Sequence, residues 1–266
     1  MDNKNTFDLT GKIAMVTGGG RGLGRAFCEG LAEFGAEVVC VDSDETRARE
    51  TAALIRKYGH RSQAVKADVS SPGQVDNMVR EALAEMGTID ILVNNAGITA
   101  QASKIFETPL EVWDRVIAVD LTGVFLCMRA VIPVMLKQKR GSIINISSGS
   151  AFGGNRPGMV PPCYGAAKAG VVNLTRVGAV EHARDGIRVN CIAPGFFDTG
   201  LGALPDGEQE KRRLGLFQQV IDRDIPMGRQ AFPDEIKGMA VFLASDASSY
   251  VTGQVFIPDG GFLAQI

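Results

Sequence analysis

Between an apolar run, Ile13–Val16, and a stretch of helical period, Arg21–Phe34, the chain reads TGGGRGLG from Thr17 to Gly24. No other feature restricts the possible fold so strongly. Glycines let the backbone turn tightly and approach a phosphate closely. The helix start then offers unpaired amide groups and the positive end of the helix dipole. Gly18, Gly22 and Gly24 fit G-x-x-x-G-x-G rather than the commoner G-x-G-x-x-G. Alone, such a loop reads equally well as a plain turn. Its setting between strand and helix favours the phosphate reading.

The alternation set up by this loop continues along the chain. Strand-like runs are expected at Glu37–Val41, Ala64–Ala67, Ile89–Val93, Ser142–Ile146, Arg188–Ile192 and Gln254–Ile257. Helical stretches are expected at Glu45–Tyr58, from Pro72, from Leu110 to about Lys137, at Tyr164–Ala183 and at Asp234–Ala244. Ser71-Pro72-Gly73-Gln74 and Thr108-Pro109-Leu110-Glu111 have the form of capping boxes with proline near the first turn. Residues 194–233 read as loop-rich. Strands and helices in strict alternation imply parallel strands joined by right-handed crossovers, with helices on both faces. The expected fold is α/β: one doubly wound Rossmann-like domain over residues 1–266, its ligands at the carboxyl ends of the strands.

Composition narrows the function. The chain has 266 residues, enough for one continuous core, and a formal charge of −2 with no long basic run, which argues against nucleic-acid binding. Its five cysteines are dispersed and odd in number, which suits a reducing compartment better than a disulfide framework. His60 and His182 are the only histidines, so a histidine metal centre is not expected. The N-terminus lacks a signal-peptide core, and no uninterrupted apolar run is long enough to span a membrane. A cytoplasmic protein is the expectation.

Asp42 ends the second strand, 18 residues after Gly24. A carboxylate there can accept from both hydroxyls of an adenosine ribose and would repel a 2′-phosphate, which favours NAD over NADP. Arg21 points mildly the other way, since a basic residue in the loop can hold that phosphate. Asp68-Val69 and Asn94-Asn95-Ala96-Gly97 follow the next two strands, where they suit the walls of the same crevice or simple turns.

The reacting groups come later. Ser148 follows the strand ending at Ile146. Tyr164 and Lys168 open the next helix, at i and i+4 on one face. An ammonium there is expected to lower the tyrosine's pKa and make Tyr164 a general acid/base at an alcohol or carbonyl oxygen. Ser148 would fix that oxygen, and Lys168 would also hold the nicotinamide ribose. No metal is needed.

In this order, TGGGRGLG, Asp42, Asp68-Val69, NNAG, Ser148, Tyr164-x-x-x-Lys168, Pro194-Gly195 and the closing DGG at 259–261, the chain resembles the short-chain dehydrogenase/reductase family. The resemblance runs from Gly11 to Gly261. It implies a seven-stranded parallel sheet, NAD(P)-dependent oxidoreduction, and Ser148, Tyr164 and Lys168 in the roles just argued. The cofactor would be held by Gly18, Arg21, Gly22, Leu23, Gly24, Asp42, Asp68, Val69, Asn95, Ala96, Gly97, Tyr164, Lys168, Pro194, Gly195 and Thr199. Ile192 and Thr199 would border the nicotinamide. A homotetramer is also implied, with the apolar tail Phe262–Ile266 as one possible interface. The expected reaction is hydride transfer between NAD and a small secondary alcohol or its ketone: a sugar or polyol, a cyclic alcohol or a hydroxy acid. Alternatives are an NADPH-dependent 3-ketoacyl-thioester reductase and a non-catalytic NAD-binding protein of the same fold.

Two departures from the family pattern stand out. Where the family usually has asparagine before L-x-G in the long helix, completing a catalytic tetrad, this chain has Asp120 in Val119-Asp120-Leu121-Thr122-Gly123. A backbone role would survive that change, while a carboxylate charge could alter the lysine or the proton relay. The second departure is the long Gly/Pro-rich loop before Tyr164. In it Arg156 could meet an anionic substrate group, and Cys163 reads as a reactive thiol or a packing residue. Residues 149–162 and 196–230 should determine the substrate, the latter as a mobile lid carrying Phe196, Phe197, Leu201, Leu204, Leu214, Leu216 and Phe217.

Overall fold

The computed structural model describes residues 5–153, 159–202 and 207–265. Its strands are β1 (Ile13–Thr17), β2 (Glu37–Asp42), β3 (Ser62–Lys66), β4 (Ile91–Asn94), β5 (Gly141–Ile146), β6 (Ile187–Ile192) and β7 (Val255–Phe256). They form one seven-stranded sheet in the order β3-β2-β1-β4-β5-β6-β7. Every pairing is parallel, with Val16 opposite Cys40 on one side and Val93 on the other. The chain reverses its direction of winding between β1 and β4, and a crevice opens where the connections part.

Strand alternation divides the core. Ile13, Met15, Ile143 and Val189 face one side of the sheet, where α3 (Pro72–Met86), α5 (Gly123–Gln138) and α6 (Pro162–His182) pack. Ala14, Val16, Ile144 and Ile192 face the other, against α1 (Gly22–Glu33), α2 (Glu45–Lys57) and α8 (Lys237–Ala244). With both faces covered, the strands have no polar face. This is why they read as unbroken apolar runs.

The remaining helices are α4 (Leu110–Ile117) and α7 (Glu208–Asp224). A π-helical turn, Ala118–Thr122, joins α4 to α5 into one long helix. Leu110–Gln138 is long and apolar enough to cross a membrane, but half of its most apolar window is buried within the domain. Val124, Val131 and Met135 account for much of that burial.

The helix starts differ from the sequence patterns. Pro72 does open α3, but the Ser71 side chain makes no cap bond. Gln74 turns outward instead, its carboxamide oxygen accepting from the Asp68 amide at 3.0 Å. Thr108 does not cap α4. The N-cap is Pro109, and the Thr108 hydroxyl donates to the Lys104 carbonyl at 2.9 Å, used up by the preceding turn. Asp44 supplies the side-chain cap that sequence inspection passed over, accepting from Thr46 and Arg47 amides at the start of α2. The segment read as loop-rich contains the 17-residue helix α7. Its apolar residues lie among many charges, which hid the helical period.

Candidate active site

The carboxyl ends of β1, β2, β4, β5 and β6 open onto a cleft of about 1120 Å³. Of the site residues expected from sequence, Gly18, Arg21, Gly22, Leu23, Gly24, Asp42, Asp68, Val69, Asn95, Ala96, Gly97, Asp120, Ser148, Tyr164, Lys168, Pro194, Gly195 and Thr199 lie on its wall.

The glycine loop leaves no room for side chains. A Cβ on Gly18 would lie 2.8 Å from Ala96 Cα, and one on Gly24 would strike the Gly18 carbonyl oxygen. Asn95 holds this fit, its side-chain amide donating to the carbonyls of Thr17 and Gly18 at 2.9 and 3.0 Å. The Thr17 hydroxyl in turn accepts from the amides of Asn95 and Ala96, both at 3.1 Å. The NNAG turn is thus tied to the loop. Asn94 differs: it is buried and bonds to Asn145 at 2.8 Å within the sheet.

Helix α1 begins at the cleft with no side-chain cap and no acid in its first turn. Its amide end therefore faces the cavity with its positive dipole uncompensated, which suits a pyrophosphate. At the far side, the two Asp42 oxygens accept from the amides of Gly20 and Asp44 at 2.9 and 3.0 Å. Each oxygen keeps capacity for a further donor, as a ribose diol requires. The donor set and the glycines packed too closely for side chains fit a nicotinamide dinucleotide.

Two arginines on this wall were not anticipated. Arg47 pairs with Asp44 at 3.2 Å. Arg115 donates to Asp68 at 3.2 Å and to the Ser70 hydroxyl at 3.0 Å, closing the wall that Asp68 and Val69 form. Neither falls in a motif, because each reaches the cleft from within a helix that sequence assigns to packing.

The reacting groups converge at the other end. Lys168 Nζ lies 5.6 Å from the centre of the Tyr164 ring. It donates to the Ile146 carbonyl at 3.2 Å, and the Ser147 hydroxyl donates to the Lys168 carbonyl at 2.7 Å. These bonds staple α6 to the end of β5 and bring Ser148 to the tyrosine. There Ser148 acts on the Tyr164 phenol, favouring its ionised form.

Asp120 reaches this corner from the π turn, which inserts one extra residue into the helix at the point facing Lys168. Gly170 allows the close approach, since a Cβ there would lie 2.9 Å from Leu121. One Asp120 oxygen accepts from the Ile98 amide at 2.8 Å, and the other lies 3.1 Å from Lys168 Nζ. The expected lowering of the tyrosine is thereby reversed. Burial pushes the Tyr164 phenol up, Lys168 draws it down, Asp120 pushes it back up and the Ser148 bond lowers it, leaving it above its ordinary value. Burial works against the Lys168 ammonium, but Asp120 and Tyr164 together with Cys191 offset it, holding the lysine above its ordinary value.

Beyond Tyr164 the cleft becomes apolar. Phe196 meets the rings of Phe217 and Phe262 edge-on, each at 5.7 Å. Arg213 stacks over Phe217 at 5.0 Å while paired to Glu210 at 2.6 Å. Phe262 thus packs on Phe196 and lines the cleft. Thr199 sits over the start of α1, its Cβ 3.2 Å from where a Gly22 side chain would begin. Ile192 does not border the cavity: as the last residue of β6 it points into the core. Gly195 packs on Asp259, which accepts from the amides of Gly261 and Leu263, so the DGG motif buttresses the Pro194-Gly195 turn. Cys163 is buried against Val116 and Ala167, and burial pushes its thiol up, which supports the packing role. Arg156 and Leu204 lie outside the described residues.

Residues 18–263 match the family profile described as enoyl-(acyl carrier protein) reductase. A 3-oxoacyl-[acyl-carrier-protein] reductase of Synechocystis is 41% identical over 96% of this chain and 98% of its own. A cis-4-hydroxycyclohexanecarboxylate dehydrogenase of Sinomonas cyclohexanicum is 41% identical over 95% and 97%. The crystal structure of a gluconate 5-dehydrogenase from Burkholderia cenocepacia, in complex with NADP and tartrate, superposes with a TM-score of 0.88 at 35% identity, covering 98% of this chain and 99% of that one. The seven-stranded sheet, the glycine loop and these relatives agree, and the chain belongs to the short-chain dehydrogenase/reductase family of oxidoreductases.

Proposed function

We propose that this chain interconverts a small secondary alcohol and its ketone, with NAD as the dinucleotide and Tyr164 as the proton carrier. The observation that carries the reading is the convergence of Tyr164, Lys168 and Ser148 on one corner of the cleft, beside the apolar end of the cavity. When bound, the dinucleotide supplies the hydride acceptor or donor. The glycine loop and the first turn of α1 would hold its pyrophosphate, Asp42 its adenosine ribose, and Lys168 and Thr199 the nicotinamide end. Ser148 donates to the substrate oxygen and fixes its position. In oxidation the Tyr164 phenolate takes the hydroxyl proton, and in reduction the phenol returns one to the carbonyl oxygen. The Phe196, Phe217 and Phe262 rings exclude water, and the segment at about 196–230 acts as the lid.

The choice of NAD rests on Asp42, whose two backbone bonds fix its carboxylate where a 2′-phosphate would lie. A second reading, NADPH-dependent reduction of a 3-ketoacyl thioester, draws support from Arg21 and Arg47 on the same wall and from the activity named for the Synechocystis relative. The engagement of Arg47 with Asp44 weakens it. A homotetramer is proposed on the family resemblance, with exposed Phe125, Val177 and Val180 on α5 and α6 available to neighbours.

The test is a screen of polyols, cyclic alcohols and hydroxy acids with NAD⁺ and NADP⁺ in parallel, read as reduced-cofactor absorbance. Turnover with NAD⁺ that Tyr164→Phe abolishes, with dinucleotide binding retained, supports the reading. Full activity in Tyr164→Phe would refute the proton-carrier role, and strict dependence on NADP⁺ would refute the choice of NAD.

A further inference from the structure

Among the described residues Lys168 is the one cation acting on the Tyr164 phenol, and it does not act alone. Its ammonium faces the Asp120 carboxylate at 3.1 Å, and both side chains are buried. Asp120 is fixed independently: its other oxygen holds the Ile98 amide at 2.8 Å, and the π turn and Gly170 press it toward α6. The pair adjoins Tyr164 as a neutral unit. The other described groups around the phenol carry no charge. Ser148 comes from the end of β5, Cys163 from α6, Val116 from α4, and Ile98 and Val160 from the loops. Cys191 on β6 faces Lys168 and is held protonated by burial.

We propose that Asp120 is a positioning residue that neutralises Lys168 in the cofactor-free protein and so keeps Tyr164 as the neutral phenol, a proton donor. The proposal rests on Tyr164 being the proton carrier of the function argued above, but its test needs no turnover. An asparagine at 120 could accept the Ile98 amide equally well. It would leave Lys168 with a full uncompensated charge beside the phenol, which would then favour phenolate. A carboxylate at this point therefore shifts the resting site from base to acid, toward ketone reduction near neutral pH. The direction found for Tyr164, raised by burial and by Asp120 against the pull of Lys168, agrees.

The experiment is a near-ultraviolet phenolate titration of the cofactor-free protein. The chain has three tyrosines, and Tyr58 and Tyr250 are exposed. Subtracting the Tyr164→Phe curve isolates Tyr164. We expect Tyr164 to titrate above the two exposed tyrosines in the wild type. Asp120→Asn should bring its midpoint down by about one pH unit or more, and Asp120→Glu should restore a midpoint above theirs. A wild-type midpoint at or below theirs overturns the proposal, whatever the variants do. So does an Asp120→Asn curve that superposes on the wild type. If Asp120→Asn does not fold, Asp120→Ser, which also removes the carboxylate, takes its place in the same comparison. Failure of every alcohol in the turnover screen would count against the proposed reaction and leave this titration standing.

Discussion

The ammonium of Lys168 and the carboxylate of Asp120 lie 3.1 Å apart, one on α6 and the other on the π turn of the neighbouring helix, with almost no exposure of either side chain. Each charge depends on the other, because removing one partner of a buried pair leaves an uncompensated charge. Lys168→Met should therefore destabilise the domain by about 3–5 kcal/mol. Adding Asp120→Asn to it should recover a large part, since the amide at 120 can still accept from Ile98. Urea unfolding of the two single variants and the double variant measures this. A double variant no more stable than Lys168→Met would mean that the pair is not the source of the loss.

The proposed choice of NAD rests on Asp42. Its carboxylate is held by the amides of Gly20 and Asp44, so it cannot swing away from an added phosphate. Asp42→Ala removes the ribose acceptor and the repulsion together. Affinity for NAD should fall about tenfold or more, the loss of a charge-assisted hydrogen bond, while affinity for NADP rises. Fluorescence titration with both dinucleotides tests this, and an unchanged ratio would refute the assignment.

The glycines of the chain differ sharply in what they tolerate. A methyl at Gly24 would strike the Gly18 carbonyl, whereas one at Gly73 would meet nothing within 4 Å. Gly24→Ala should displace the loop, abolish dinucleotide binding and lower stability by about 1–3 kcal/mol, as overpacking does. Gly73→Ala, in the first turn of α3, should be neutral or stabilising by up to ~1 kcal/mol. Thermal unfolding with and without dinucleotide separates the two: Gly24→Ala should lose the ligand-induced rise in Tm and Gly73→Ala should keep it.

Phe217 links α7 to the substrate end through Phe196, and Arg213 of the same helix stacks on its ring. Phe217→Ala should loosen this closure without touching the reacting groups. We expect KM for the alcohol to rise about tenfold, the equivalent of ~1.4 kcal/mol, with dinucleotide affinity unchanged. Equal losses in alcohol and dinucleotide binding would point instead to collapse of the whole cleft.

The site was legible because its residues sit in short motifs at strand ends, where backbone geometry and chemistry fall on adjacent positions. Asp42, Ser148 and the glycine loop belong to this class. Arg47 and Arg115 do not, for each reaches the cleft from a helix whose sequence advertises only packing. Ile192 shows the opposite error: the family resemblance put it against the nicotinamide, and strand alternation sends it into the core. Helix α7 was obscured by its own charges, and the cap of α2 by the turn-like Asp-Ser-Asp in which Asp44 lies. Asp120 was found by its departure from a pattern. Its effect on Tyr164 was not legible, because the sign depends on a contact between residues 48 positions apart.

Alkaline pH should unfold the domain through its buried thiols. Burial pushes Cys127 up to about 12 and Cys191 up to about 11, and Cys28 is raised as well. In the unfolded chain each thiol ionises in the ordinary range, near 8.5. The folded state therefore holds protons that the unfolded state has released. Stability from this source is complete below about pH 8.5 and falls as pH rises toward the folded values. The slope is about 1.4 kcal/mol per pH unit for each thiol ionised only when unfolded. Urea unfolding under reducing conditions at about pH 7.5 and pH 10 should show a loss of several kcal/mol. Cys127→Ala should lower stability at pH 7.5, for it removes a buried sulfur, yet show a smaller further loss at pH 10, by about 1–2 kcal/mol. An identical pH dependence in wild type and variant would mean that Cys127 is already ionised in the folded chain, and would place the alkaline sensitivity in other groups.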